Sequence, residues 1–110
     1  MSLDITIKQR KELVCPHCGE HIGTRDIAEE TSGGRVWYHF LEMVGYYYVE
    51  NGKRTPAYDW YCKDMILSKE QANKLYRFCK NEEPYNWHDI AALVAMAEAD
   101  GDMVVINADW

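Results

Sequence analysis

The chain has 110 residues, 47% apolar and 27% charged, and its 12 Lys and Arg stand against 18 Asp and Glu for a formal net charge of −6. That length fits one domain able to bury roughly two thirds of its unfolded surface, so folding need not depend on a metal. The charge disfavours non-specific nucleic-acid binding, and no stretch approaches the roughly 18 apolar residues that span a bilayer, which argues against a membrane partner.

The distribution of charge adds to the sum. All Lys and Arg fall within residues 1–80, whereas residues 81–110 hold Glu82, Glu83, Asp89, Glu98, Asp100, Asp102 and Asp109 and no base. One flank of the molecule is therefore expected to be acidic, either as a plain solvated surface or as a face for a protein partner. The amino-terminal residues show no basic-then-apolar leader, which gives the expectation of a cytoplasmic protein whose thiols stay reduced.

In chain order, Leu3, Ile5 and Ile7 alternate with Asp4, Thr6 and Lys8, the period of a strand with one buried face. The charged run Lys8 to Glu12 interrupts it, and Leu13-Val14 leads into Cys15-Pro16-His17-Cys18-Gly19. Proline fixes φ after the first cysteine, and Gly19 permits the left-handed turn that aims backbone N–H groups at thiolate sulfur. A strand entering this turn and leaving through Ile22 predicts a short hairpin within residues 1–30. Thr24 to Glu30 shows no clear period, and Thr31-Ser32-Gly33-Gly34 reads as a loop.

Residues 35–62 are dense in aromatics and read as an antiparallel sheet. Asn51-Gly52 predicts a type I′ turn that sets Glu50 opposite Lys53, and Pro56 marks an edge or a bulge in the returning strand. If that strand resumes, Tyr58, Trp60 and Cys62 share one face and Asp59, Tyr61 and Lys63 the other. A helix is predicted over 68–80, opened by the capping box of Ser68 and Gln71, with Ala72, Leu75, Tyr76 and Cys79 as its core stripe and Glu70–Lys74 as an i, i+4 pair. A second helix over 87–100, capped by Asn86, carries Ile90, Leu93, Val94 and Ala97 and is apolar on most sides, which suits deep packing or a homo-oligomer contact. Gly101 ends it, and residues 103–107 read as a buried last strand. The expected fold class is a single α+β domain.

Cys15-Pro16-x-Cys18-Gly19 resembles the knuckles of zinc ribbons, treble-clef fingers and rubredoxin-like sites, and that resemblance implies a pair of zinc ligands over about nine residues. A tetrahedral site then takes two more from Cys62, Cys79, His17, His21, His39 and His88. Cys62 with Cys79 gives an all-thiolate site, with His39 or His21 as substitutes. Against it, unpaired cysteine is among the most buried residue types, Cys79 falls in a core stripe, and its place in the last turn of a helix departs from treble-clef fingers, whose second pair comes from a first turn.

The favoured function is a non-catalytic interaction module with structural Zn2+. A second reading is a thiol-disulfide oxidoreductase, since Cys-Pro-His-Cys also resembles the active site of some thioredoxin-fold enzymes. It would make Cys15 the nucleophile and Cys18 the resolving thiol, but Gly19 and Gly23 weaken the helix it needs. A third is single-stranded nucleic-acid binding, with aromatics stacking on bases beside Arg35, Lys53, Arg54 and Lys63. His88-Asp89 are adjacent on one helix and do not face each other, Gly33-Gly34 lacks phosphate-loop spacing, and Asp100-Gly101-Asp102 lacks room for the glutamate that closes a calcium loop.

Overall fold

The computed structural model describes residues 3–56, 60, 62–81 and 87–110. Its elements in order are β1 (Asp4–Val14), β2 (His21–Gly33), α1 (Trp37–Met43), β3 (Tyr47–Glu50), β4 (Lys53–Pro56), β5 (Met65–Ile66), α2 (Lys69–Asn81), α3 (His88–Asp100) and β6 (Met103–Asp109). A four-stranded antiparallel sheet in the order β2-β1-β6-β5 and a separate β3-β4 hairpin make the α+β architecture expected from the sequence.

The alternation at the start of the chain runs further than Ile7. Leu3, just before β1, and Ile5, Ile7 and Gln9 of β1 are all buried, joined on that face by Val104, Ile106 and Ala108 of β6. The helices cover this face. Leu75 and Cys79 of α2 and Ile90, Ala91, Leu93, Val94 and Ala97 of α3 are buried in the same core. Gln9 ends the apolar series with a polar group, and its amide nitrogen donates to Asp102 at 2.8 Å and Asp100 at 3.4 Å, pinning the α3–β6 turn to β1.

The opposite face carries an ionic network. Arg10 donates through Nε to Asp26 at 2.7 Å and through a terminal nitrogen to Asp64 at 2.8 Å, and Asp64 accepts a further bond from Asn107 at 3.0 Å. The guanidinium holds both carboxyls below their ordinary range, aided at Asp64 by Asn107.

Several expectations needed revision. The predicted sheet over residues 35–62 is in part helical, because Trp37, Phe40, Leu41 and Val44 fall at i, i+3, i+4 and i+7 and all are buried. Strand structure starts at Tyr47, and the hairpin then closes at Asn51 (φ 52°) and Gly52 (φ 74°) with Glu50 opposite Lys53. Thr24 to Glu30, without a readable period, lies within β2, a 13-residue strand, and so do Thr31, Ser32 and Gly33 of the expected loop, which pair with Thr6, Ile5 and Asp4. The expected cap Asn86, with Tyr58, Asp59 and Tyr61, lies outside the described residues.

Length distinguishes the β1–β2 ribbon. β6 accompanies β1 only from Asp4 to Arg10, whereas β2 accompanies it to Val14. The pairs from Lys11–Arg25 to Val14–His21 are thus a two-stranded arm reaching roughly 13 Å past the third strand, at about 3.3 Å per residue. The molecule measures 53 × 30 × 22 Å.

Candidate metal centre at the hairpin tip

The turn from Cys15 to Gly19 occupies the end of this arm. Cys15 donates its N–H to the Glu20 carbonyl at 2.8 Å, and Gly19 donates to the Cys15 carbonyl at 2.8 Å, closing the turn on itself. Gly19 sits at φ +74°, a left-handed conformation that costs a residue with a Cβ roughly 1–2 kcal/mol. The turn therefore depends on glycine where the sequence provides it.

Within that loop the backbone N–H groups of Cys18 and His17 hydrogen-bond the Cys15 sulfur, and the Cys18 side chain adds a third interaction. Together they lower the Cys15 thiol pKa from its ordinary value, in that order of importance. Donors aimed at sulfur stabilise the thiolate, the form that binds metal or attacks an electrophile. Both cysteines are free, Cys15 half-buried and Cys18 exposed.

The other candidates are placed elsewhere. Cys62 donates its N–H to the carbonyl of Ala108, which lies opposite Ile5. Ile5 is ten residues before Cys15 on one extended strand, so Cys62 belongs to the far end of the ribbon, roughly 30 Å from the knuckle. His39 is on α1, which follows the ribbon's base where Gly33 pairs with Asp4. Cys79 is 3% exposed inside the core, and burial pushes its thiol pKa up to about 12. The four-cysteine site is therefore not assembled, and no group of three or more His, Cys, Asp or Glu side chains suited to a metal converges among the described residues.

His21 lies nearest in the ladder, opposite Val14, but its Nδ1 is 2.8 Å from Glu12 Oε1. What the fold does build is a two-sulfur half-site with N–H donors already directed at it. The donor set fits two positions of a zinc shell.

The same geometry bears on the other readings. Cys15 follows a strand and precedes another, so the helix N-terminus that activates the nucleophile in thioredoxin-like enzymes does not stand behind it. Among the aromatics of residues 35–62, Trp37, Tyr38, Phe40, Tyr46 and Tyr47 are buried, whereas Tyr48 is exposed. Trp37 packs on Trp87 at 4.7 Å and on Phe78 at 5.1 Å between ring centroids, so these rings are occupied with one another.

No protein-family model, curated protein or solved structure matches the chain. A cleft of about 270 Å³ between the start of α2 and the α3–β6 turn includes Ser68, Lys69, Glu98 and Asp102 in its lining.

No helix among the described residues is long and apolar enough to cross a membrane.

Proposed function

We propose that the protein is a non-catalytic interaction module whose projecting arm binds Zn2+ through Cys15 and Cys18. The observation that carries this reading is the pair of N–H groups, from His17 and Cys18, directed at the Cys15 sulfur in a turn closed by Cys15–Glu20 and Gly19–Cys15 bonds. Zinc supplies no redox chemistry here; it would fix the turn and, through ligands the arm lacks, join it to something else. The body needs no such help, since its core is built from Leu3, Ile5, Ile7, Trp37, Phe40 and the helix stripes.

The reading predicts a dispensable metal for folding and a required one for contact at the tip. Elemental analysis of reduced, untagged protein tests it. Zinc that co-purifies and is lost from a Cys15→Ser, Cys18→Ser variant of unchanged circular dichroism supports the proposal. Metal-free protein that does not take up added Zn2+, or equal zinc in the variant, overturns it.

A further inference from the structure

Zinc bound by two thiolates needs two more ligands, and the question is where they come from. Within one chain they do not arrive among the described residues: Cys62 and His39 belong to the other end of the ribbon, Cys79 is inside the core, and neither His17 nor His21 converges with the two sulfurs into a group of three ligands. A second copy of the same tip would bring ligands of the same chemistry, two further thiolates with their own N–H donors.

Three features of the arm suit such a contact. It extends past β6, so two tips can meet end to end without their bodies colliding. Beside the cysteines Val14 is 52% exposed and Ile22 65% exposed, an apolar rim that an isolated hairpin leaves in water. The arm is also electrically balanced: Lys11 and Arg25 offset Glu12 and Glu20, although the whole chain carries −6. The nearest acidic turn, with Asp100 and Asp102 bonded to Gln9, lies roughly 20 Å down the ribbon. That is beyond the screening length of about 8 Å at physiological salt, so its repulsion is weak at the tip.

We infer that the knuckle is half of an intermolecular clasp, in which one Zn2+ is held by Cys15 and Cys18 of one copy and the same two residues of a second copy. This rests on the zinc-binding reading above. Closing the clasp releases the four thiol protons to solvent and leaves a centre of net charge −2, which the His17 and Cys18 N–H groups of both copies partly offset. A two-fold axis through the metal makes the contact self-complementary and closed, so association stops at the dimer.

The test is a titration of reduced, chelator-stripped full chain with Zn2+, read by sedimentation equilibrium and metal content together. The expected result is a doubling of mass at one Zn2+ per two chains, reversed by chelator and absent in Cys15→Ser, Cys18→Ser. A His17→Gln, His21→Gln variant is expected to dimerise with zinc as the parent does, and loss of dimer there would assign the missing ligands to histidine and overturn the clasp. One Zn2+ per chain with unchanged mass overturns it while leaving the zinc reading intact. A dimer that persists in chelator also overturns it, and uptake of no zinc removes both.

Discussion

Cys62 donates its backbone N–H to the carbonyl of Ala108 at 3.0 Å, which fixes it at the base of a ribbon whose tip is Cys15. The cysteines therefore divide into two classes, a solvent-facing pair with donors around its sulfur and two residues held apart from it by the sheet and the core. Ligand assignment follows from this division.

Replacing Cys62 or Cys79 should leave zinc content unchanged. Cys79→Ser puts a hydroxyl into an apolar site, and an unpaired buried polar group costs about 1–3 kcal/mol. Urea unfolding should show that loss for Cys79→Ser, whereas Cys62→Ser, at an exposed site, should fall within about 0.5 kcal/mol of the parent. Loss of metal from either variant would return that residue to the ligand set.

Tyr46 closes the base of the fold. Its hydroxyl donates to the Lys63 carbonyl at 2.7 Å and accepts the N–H of Ala108 at 3.0 Å, and its ring is fully buried. Tyr46→Phe keeps the ring and strands the Ala108 N–H, so it should cost about 1–3 kcal/mol in denaturant unfolding with zinc content unaffected. A loss below about 0.3 kcal/mol would show that water replaces the hydroxyl.

Where local chemistry and tertiary packing agree, the sequence was legible. Ser68 and Gln71 make the reciprocal capping box, at 2.8 and 3.1 Å, and Ile90, Leu93, Val94 and Ala97 form the buried stripe of α3, which Gly101 ends in a left-handed conformation. The aromatic run at Trp37 combines strand propensity with helical spacing. Its i, i+3, i+4, i+7 pattern through Val44 is helical, and packing decided the matter. β2 showed no period because it is the edge strand, where the core-side positions Ala28, Glu30 and Ser32 are only half-buried and mostly polar, and a register shift opposite Gln9–Arg10 breaks the alternation that remains. At the site, the turn and its two sulfurs were readable from Cys-Pro-x-Cys-Gly. The location of Cys62 and Cys79 was not, because it depends on which end of β1 the returning chain reaches.

Acid should weaken the open face of the sheet. Asp26 and Asp64 have folded pKa values lowered chiefly by hydrogen bonds from Arg10, so each contributes stability that is complete above the unfolded carboxyl value of about 3.9 and is lost as pH falls through the depressed folded value. Melting temperature should therefore drop below about pH 4. Asp64→Asn should be less stable at neutral pH and show a shallower acid limb, and parallel pH curves for the two proteins would contradict this origin. Both carboxylates are about one third exposed, so the effect should also shrink in high salt.

Thiol reactivity should follow the same division. In reduced, metal-free protein, alkylation of Cys15 should reach its half-maximal rate at a pH below that of an ordinary thiol near 8.5, because the Cys18 and His17 N–H groups favour its thiolate. Cys79 should resist alkylation until the protein unfolds. Mass spectrometry of labelled peptides across pH checks both, and simultaneous labelling of the two residues in folded protein would show that the core opens readily.

Whether the two sulfurs at the arm's tip hold zinc is read from X-ray absorption at the zinc edge of the reduced, zinc-loaded protein. Sulfur scatterers are expected at about 2.3 Å in the first shell, absent from the Cys15→Ser, Cys18→Ser variant. A first shell made only of nitrogen and oxygen at about 2.0–2.2 Å, or a sulfur shell that survives in that variant, would contradict zinc binding by this pair.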